Sequence, residues 1–287
     1  MSLKKIYILG ESGQLASCFA SLQKEFPNLD LQFFGRDQID FERPLEPQFN
    51  WNMPPDWIIN TVAYTAVDLA ETEHELNWRV NAEALLELSN WCEKHDTPLI
   101  HFSTDYVFDG ENQVPGGYTE VSAVNPRCEY GRAKLQGEMH ASRYGKALIF
   151  RIAWLYSQFG KNFYSTISTK IKAGENLRVV NDQLGCPTSG MALANDILEF
   201  IMHTEVDDVE FGLYHYSHEG EISWYDFAVA IQEELKCEVE IESISSDQLN
   251  MAAKRPKFSA LNSNLAEQIF QFPNREWRKE LQDIIRE

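Results

Sequence analysis

The chain has 287 residues and a mass of 33.1 kDa, which corresponds to about two domains at roughly 150 residues each. The chain has 25 basic and 44 acidic side chains, so its net charge is −19. Most of its surface therefore repels nucleic acid and anionic membranes. The mean hydropathy of −0.38 and the absence of any apolar run of about 18 residues exclude a membrane-spanning helix, and five scattered cysteines exclude a disulfide framework.

Strands and helices alternate along the first half of the chain. Continuous apolar runs predict strands at 4–10, 31–35, 56–63, 98–104 and 147–154. Apolar residues at helical spacing predict helices at 14–26, at 78–95 and from 130 onward. Because single helices separate the strands, the pattern predicts an α/β fold with a Rossmann-like, doubly wound parallel sheet.

The second half of the chain has a looser pattern. It predicts helices at 163–174, 191–203, 222–236 and 273–287, and strands at 177–182, 212–217 and 238–245. No change in composition marks a linker. We therefore expect a sheet domain at 1–154 and a smaller, interleaved C-terminal domain at 155–287, with about 178–205 returning to the first domain.

A glycine turn, Gly10-x-x-Gly13-x-x-Ala16, joins the first strand to the first helix. Phosphate binding requires a turn without Cβ atoms, followed by helix N–H groups that point at the diphosphate. Small Ala16 lets the helix pack close to the sheet. The spacing also fits a plain tight turn, but its position at the first strand–helix junction favours a dinucleotide site.

The end of the second strand bears on the choice of dinucleotide. An arginine there accommodates the 2′-phosphate of NADPH, whereas an acidic residue binds the free ribose hydroxyls of NADH. The sequence has Arg36 followed by Asp37. Arg36 favours NADPH, and Asp37 leaves acceptance of NADH open.

Four side chains point to carbonyl reduction. Tyr130 and Lys134 are four residues apart and therefore share one helix face, and Ser103 and Thr104 end the fourth strand, where ligands bind in open α/β sheets. A phenol whose pKa is lowered by an ammonium group is a proton donor for the developing alkoxide, and a hydroxyl can hold the carbonyl oxygen. We therefore predict hydride transfer from a nicotinamide to a ketone.

Longer strings resemble the extended short-chain dehydrogenase/reductase superfamily and, within it, the dTDP-4-dehydrorhamnose reductase family. The most specific are TDYVFDG at 104–110, YGRAKLQGE at 130–138 and DQLGCPTS at 182–189. The resemblance runs through most of the chain. It implies NADPH-dependent reduction of the 4-keto group of dTDP-4-dehydro-6-deoxy-L-mannose (dTDP-4-dehydrorhamnose) to dTDP-L-rhamnose, with the sheet domain binding the cofactor and the C-terminal domain the nucleotide-sugar substrate.

The resemblance also implies three sets of site residues. The catalytic set is Thr104, Tyr130 and Lys134. The cofactor set is Gly10, Ser12, Gly13, Gln14, Leu15, Arg36, Asp40, Ala63, Tyr64, Thr65, Asn81, Ser103, Tyr130 and Lys134. The substrate set is Thr65, Val67, Asp68, Thr104, Asp105, Tyr106, Tyr130, Trp154, Asn162 and Arg255. In these sets Tyr130 protonates O4 of the sugar, Lys134 lowers the Tyr130 pKa and contacts the nicotinamide ribose, and Arg255 lies near the nucleotide diphosphate.

Some of these residues also have purely structural interpretations. Trp154 ends a buried strand and fits a core position, and Asn162 fits the cap of the following helix. His101 and His215 lie in apolar strands, and we expect both to be hydrogen-bonded core histidines rather than ligands or bases.

One departure from the family concerns metal. Some relatives dimerise through magnesium held by carboxylates, at positions that align with Cys18 and Met191 here. Neither side chain is an oxygen ligand, so we expect no metal site and a monomer or weak homodimer.

Two alternative functions stay open. One is a reductase or epimerase/reductase for another nucleotide-activated ketosugar. The other is a non-catalytic, dinucleotide-binding regulatory subunit resembling that of methionine adenosyltransferase. The intact set of Thr104, Tyr130 and Lys134 favours catalysis, and we expect a cytoplasmic enzyme without nucleic-acid or membrane partners.

Overall fold

A computed structural model of the protein describes residues 3–51, 53–111, 113–249 and 251–286. Its strands are β1 Lys4–Leu9, β2 Leu29–Phe34, β3 Trp57–Asn60, β4 Leu99–Thr104, β5 Ala147–Ile152, β6 Leu155–Tyr156, β7 Leu177–Val180, β8 Leu184–Gly185, β9 Thr188–Ser189, β10 Gly212–Tyr216, β11 Ile222–Ser223 and β12 Ile241–Ile244. Its α-helices are α1 Gln14–Leu22, α2 His74–Trp78, α3 Ala84–His95, α4 Glu129–Ala141, α5 Phe163–Lys172, α6 Gly190–His203, α7 Trp224–Leu235, α8 Asn264–Phe270 and α9 Trp277–Arg286. Short 3-10 turns lie at Glu46–Gln48, Leu69–Glu71, Asp105–Val107, Val206–Asp208 and Ser246–Gln248, and a π-helical turn lies at Arg79–Glu83.

The main sheet is parallel and has the strand order β10-β5-β4-β3-β1-β2. Strands β3 and β4 are buried at every position, as their continuous apolar runs predict for a sheet covered on both faces. One apolar core contains α1 and α6 and the other contains α3. The predicted α/β class with a doubly wound parallel sheet is confirmed.

The order of the strands reverses between β1 and β3, which are neighbours in the sheet. In a doubly wound sheet the connections before and after this point run to opposite faces, so a crevice opens at the carboxyl ends of these strands. The glycine turn follows β1 directly. The topology therefore places the predicted dinucleotide site at the switch point.

The chain after residue 155 contributes to two parts of the molecule. A third apolar core joins α5, α7 and α9, and β7 pairs with β12 beside it. In contrast, α6 packs against α1, and β10 pairs with β5 at the edge of the main sheet. Strand β7 therefore lies away from the main sheet, and β10 lies in it. The expected division at 154 and 155, with about 178–205 returning to the first domain, stays a prediction.

Several predicted boundaries differ from those of the structure. The first helix ends at Leu22 rather than at 26, and the helix predicted from 78 begins at His74 and contains the π-helical turn. The sequence pattern did not predict α8, in which Ala266 is buried and Ile269 and Phe270 pack against the same core, because a helix of 7 residues is too short to show a clear apolar period. The last helix begins at Trp277, and the predicted end at Glu287 lies outside the described residues.

Within the described ranges, no helix combines the length and the apolar character that crossing a bilayer requires.

Candidate active site

The turn after β1 requires glycine at Gly10. Its backbone has a φ of +99°, and a Cβ atom there would lie 2.8 Å from the Thr61 hydroxyl oxygen. The Gly13 N–H donates to the Gly10 carbonyl at 2.8 Å, which closes the turn. The chain thus folds back tightly and leaves its backbone accessible at the sheet edge.

The N-terminus of α1 leaves polar groups available to a ligand. Gly13 is its N-cap and provides no side-chain cap, and the first turn of the helix contains no acidic residue. The buried Nε2 of Gln14 has no hydrogen-bond partner among the described residues. Uncapped N–H groups and a buried amide donor beside a glycine turn fit a diphosphate.

A first cleft of about 430 Å³ runs from this turn to the end of β2. It is lined by predicted cofactor residues, namely Gly10, Ser12, Gly13, Arg36, Asp40, Ala63, Tyr64 and Thr65. Arg36 is largely exposed and forms ion pairs with Asp40, at 3.5 Å, and with Glu42. The cation that the sequence assigned to a 2′-phosphate is therefore shared with two carboxylates.

A second cleft of about 370 Å³ adjoins the first, because both are lined by Ala63 and Thr65. Among the predicted site residues it is lined by Gln14, Leu15, Ala63, Thr65, Val67, Ser103, Thr104, Asp105, Tyr106, Tyr130, Lys134, Trp154 and Asn162. The structure therefore brings the three predicted catalytic residues together beside the glycine turn.

Tyr130 and Thr104 form the centre of this cleft. The Thr104 hydroxyl donates to Asp105 at 3.0 Å and accepts from the Tyr106 N–H at 3.2 Å. Burial raises the pKa of the Tyr130 phenol above its usual value, and the Thr104 hydrogen bond opposes that rise. The lowering of the Tyr130 pKa by Lys134 stays a prediction.

The Lys134 side chain is fully buried one helical turn after Tyr130. Its Nζ donates to the Phe102 carbonyl at 2.6 Å and lies 3.2 Å from Nε2 of His101. Burial lowers the pKa of Lys134 to about 8, although Glu138 acts in the opposite direction. Its charge is therefore easily lost, which is unusual for a lysine.

Asp105 is a buried carboxyl group directly behind Thr104. Burial raises its pKa to about 6, while hydrogen bonds from Ser259 and Thr104 oppose that rise. Tyr106 packs edge-on against Tyr130, with ring centroids 5.6 Å apart. The Ser103 hydroxyl donates to Glu138, which is also paired with the buried Arg151.

The far wall of the second cleft is aromatic. Trp154 has a φ of +50° and stacks on Trp224, with ring centroids 3.5 Å apart and planes within 8°. Such a flat apolar face suits one side of a sugar ring. Asn162 is the N-cap of α5, since its Oδ1 accepts from the Ser165 N–H at 2.9 Å and its Nδ2 donates to two carbonyls. Asn162 therefore caps the helix that follows it, as its structural interpretation predicts.

Three predicted site residues do not line either cleft. Asn81 accepts from the Tyr64 N–H at 3.0 Å and donates to the Tyr64 carbonyl at 2.9 Å, so it holds the loop rather than the ligand. Arg255 and Asp68 form a two-point ion pair at 2.7 and 3.0 Å. That pairing leaves the Arg255 charge compensated within the protein.

Several further residues line the second cleft and were missed from the sequence, among them Lys161, Phe163 and Trp224. No ion pair involves Lys161 in the part of the chain that the structure describes. A signal for Trp224 existed in the family-like string ISWYDFA at 222–228, but no spacing rule connects it to Trp154, 70 residues earlier. Of the two predicted core histidines, His215 is buried with Nδ1 3.0 Å from the Tyr118 carbonyl, whereas His101 contacts Lys134.

Comparison with known proteins gives a consistent result. The chain matches the family model described as "RmlD substrate binding domain" over residues 4–287. It is 31% identical over 291 residues to the dTDP-4-dehydrorhamnose reductase of Aggregatibacter actinomycetemcomitans, with 98% of each chain covered. The solved dTDP-4-dehydrorhamnose reductase of Clostridium acetobutylicum has a TM-score of 0.90 at 34% identity, with 98% of each chain covered. The enzyme of Bacillus anthracis, solved in complex with NADP, has a TM-score of 0.89 at 31% identity, with 99% of each chain covered. The chain therefore belongs to the dTDP-4-dehydrorhamnose reductase family.

Proposed function

We propose that the chain reduces the 4-keto group of dTDP-4-dehydrorhamnose to give dTDP-L-rhamnose, with NADPH as the hydride donor. The observation that carries this proposal is the convergence of Thr104, Tyr130 and Lys134 in one cleft beside the glycine turn. A dinucleotide turn, a proton donor and a hydroxyl for the carbonyl oxygen are the parts that ketone reduction needs.

The residues around the first cleft fit the cofactor. Gly10 leaves room for the diphosphate, and the uncapped N–H groups of α1 offer donors to it. The Gln14 amide adds a further donor, and Arg36 lies where a 2′-phosphate is expected. When bound, NADPH supplies the hydride for the substrate ketone.

The residues of the second cleft supply the proton. The Tyr130 phenol carries a proton, and it donates this proton to the developing alkoxide at O4 as the negative charge appears. The hydroxyls of Thr104 and Tyr130 line the same cleft and orient the carbonyl oxygen by hydrogen bonds to it. The catalytic roles of Thr104, Tyr130 and Lys134 are part of the proposal.

The substrate is proposed to lie along the aromatic wall. The stacked pair of Trp154 and Trp224 suits the apolar face of a 6-deoxysugar, and Val67 lines the same cleft. Two lysines of this lining, Lys134 and Lys161, form no ion pair among the described residues, and the Lys134 Nζ is already bonded to the Phe102 carbonyl. Arg255 is paired with Asp68, so we assign the substrate diphosphate to Lys161.

The proposal extends to the setting in which the enzyme works. We propose a cytoplasmic enzyme that is a monomer or a weak homodimer, without nucleic-acid or membrane partners. It is supported by the absence of disulfides among the described cysteines and by the net charge of −19.

The experiment incubates the purified chain with NADPH and dTDP-4-dehydrorhamnose. Nicotinamide absorbance follows oxidation of the cofactor, and chromatography identifies dTDP-L-rhamnose. The Tyr130→Phe variant is the matched control, because it keeps the ring and removes only the acidic proton. We expect it to bind NADPH as the parent does and to turn over about a hundredfold more slowly or worse.

Three results would contradict the proposal. Near-native turnover of Tyr130→Phe at saturating NADPH would remove the tyrosine from its catalytic role. NADPH oxidation with a GDP-linked ketosugar and none with the dTDP-linked one would favour the alternative reductase. Tight NADPH binding with no turnover of any ketosugar would favour a regulatory subunit.

A further inference from the structure

Three buried polar side chains form a line beneath the second cleft. Asn60 ends β3 and His101 lies in β4, where the two residues are paired across the parallel ladder. The Asn60 amide nitrogen lies 3.1 Å from Nδ1 of His101, and Nε2 of His101 lies 3.2 Å from Nζ of Lys134. Each of the three side chains is at least 98% buried.

The amide of Asn60 is fixed in one orientation. Its Oδ1 accepts from the Val62 backbone N–H at 3.0 Å, so its NH₂ group must face His101. Nδ1 of His101 therefore accepts a hydrogen bond. Because a neutral imidazole has one donor and one acceptor nitrogen, the proton of His101 lies on Nε2, the nitrogen that faces Lys134. Burial holds the pKa of His101 well below its usual range, so the ring stays neutral.

The lysine must therefore meet an N–H donor. An ammonium group has three donors and no acceptor, so Nε2–H and an ammonium at 3.2 Å oppose each other. An uncharged amine has a lone pair that accepts from Nε2–H, while one of its own N–H groups donates to the Phe102 carbonyl at 2.6 Å. The geometry thus satisfies the amine better than the ammonium.

We propose that Asn60 fixes His101 as the Nε2–H tautomer, and that this donor favours the uncharged form of Lys134. His101 is then a positioning residue that acts on the reaction through the lysine. This role differs from the core role expected of His101. A core histidine needs only hydrogen-bond partners for its two ring nitrogens, whereas here Nε2 of His101 influences the protonation of Lys134.

Other charged groups around Lys134 do not provide this effect. On α4, Glu138 favours the charged lysine, and Arg151 from β5 compensates part of that carboxylate charge through a 2.7 Å ion pair. Tyr130 from the preceding turn and Asp105 from the 105–107 turn line the same cleft. Neither carboxylate lowers the affinity of Lys134 for its proton, which leaves burial and the His101 donor as the opposing influences.

The tautomer can be measured without any variant or substrate. In protein labelled with ¹⁵N-histidine, the two nitrogen shifts of His101 distinguish a protonated Nε2 from a protonated Nδ1, and the His101→Gln spectrum assigns the signal. We expect protonated Nε2 and unprotonated Nδ1 at pH 7. Protonation on Nδ1, or on both nitrogens, would overturn the proposal.

The effect on the lysine is read from the ¹³C shift of its Cε atom during a pH titration. His101→Gln places an amide at the Nε2 position that can turn its oxygen toward Lys134, without adding charge. Asn60→Asp accepts from Nδ1–H and so reverses the tautomer, which the nitrogen shifts of His101 report. Its added carboxylate would itself raise the Lys134 midpoint, so His101→Gln is the deciding variant for the lysine. We expect His101→Gln to raise the Lys134 midpoint by about one pH unit or more. His140→Gln is the matched control, because it makes the same substitution on α4, the helix that contains Lys134. We expect it to leave the Lys134 midpoint unchanged.

The consequence for turnover rests on the proposed function. If charged Lys134 is needed at the nicotinamide ribose, the alkaline decline of kcat/KM follows its midpoint and moves to higher pH in His101→Gln. An unchanged Lys134 midpoint in His101→Gln would overturn the inference even if the enzyme is active. Conversely, absence of ketosugar reduction would overturn the proposed function. The His101 tautomer and the Lys134 titration would still decide this inference.

Discussion

Asp105 lies directly behind a proposed catalytic hydroxyl, and its acidity differs from that of an exposed carboxyl. Its pKa is raised to about 6, because burial outweighs the hydrogen bonds that favour the carboxylate. A carboxyl group with a raised pKa binds its proton more tightly in the folded state than in the unfolded chain. It therefore stabilises the fold at low pH, and this contribution is lost as the pH rises through about 6.

Asp105→Asn removes this titration. Between about pH 4 and pH 6 we expect the free energy of unfolding of the variant to rise relative to that of the parent, by on the order of 2 kcal/mol, and then to stay level. Urea unfolding at several pH values measures the difference. Asp207→Asn, at an exposed position, should show no such slope. A constant difference between the Asp105 variant and the parent would contradict the raised pKa.

The cofactor preference depends on how Arg36 is shared. Arg36→Ala should weaken NADPH binding about tenfold or more and leave NADH nearly unchanged, because only NADPH carries the 2′-phosphate. Fluorescence titration with both cofactors gives the two affinities. Equal losses of affinity for both cofactors would show that Arg36 does not recognise the 2′-phosphate.

Glu42 competes for the same guanidinium group. Glu42→Gln should strengthen NADPH binding by up to about fivefold, the contribution of one exposed ion pair, since it frees Arg36 and removes a repelling charge. Glu25→Gln, another exposed position, serves as its control. Weaker NADPH binding in Glu42→Gln would show that the ion pair positions Arg36 rather than competing for it.

At the scale of elements, α4 is held close to its neighbours through glycine. A Cβ atom on Gly137 would lie 2.2 Å from the Asn81 carbonyl in the π-helical turn, and one on Gly131 would lie 2.3 Å from the Tyr106 carbonyl. Both Tyr130 and Lys134 are on this helix. Its close approach therefore determines how deeply the proton donor enters the second cleft.

Gly137→Ala should lower both the thermal midpoint and turnover. In an exposed helix the same change would stabilise by about 1 kcal/mol, but here the added methyl group must push α4 from the π-helical turn. Thermal unfolding and steady-state kinetics measure the two effects. Met139→Ala, at an exposed position of the same helix, should change neither by much. A higher thermal midpoint in Gly137→Ala would contradict the close contact.

The strands of the sheet were predictable because buried parallel strands have continuous apolar runs in the sequence. The strand ends in turn gave the positions of Thr104 and of the glycine turn. The π-helical turn was not predictable, since its hydrogen-bond shift has no apolar period of its own. The contacts of His101 with Lys134 and of Asn81 with Tyr64 depend on tertiary packing. Local patterns therefore indicate which residues reach the cleft, but not which of them bind each other.

At the scale of the molecule, a bridging metal is not expected. Cys18 is buried between α1 and α6, and the Ser21 hydroxyl donates to the Met191 sulfur at 3.4 Å. Sulfur donors are poor ligands for magnesium. Neither magnesium nor EDTA should change turnover or the sedimentation coefficient. A dimer that dissociates on chelation would contradict this expectation.

The position of β10 has a consequence for the modularity of this protein. A fragment that ended at residue 154 would lack β10 and α6, so β5 would become an unprotected sheet edge and the apolar face of α1 would be bare. Such an edge invites pairing with another copy. We therefore expect that residues 1–154 do not fold stably on their own. Substrate specificity should then be exchanged between relatives by local changes in the cleft wall rather than by recombination of whole halves.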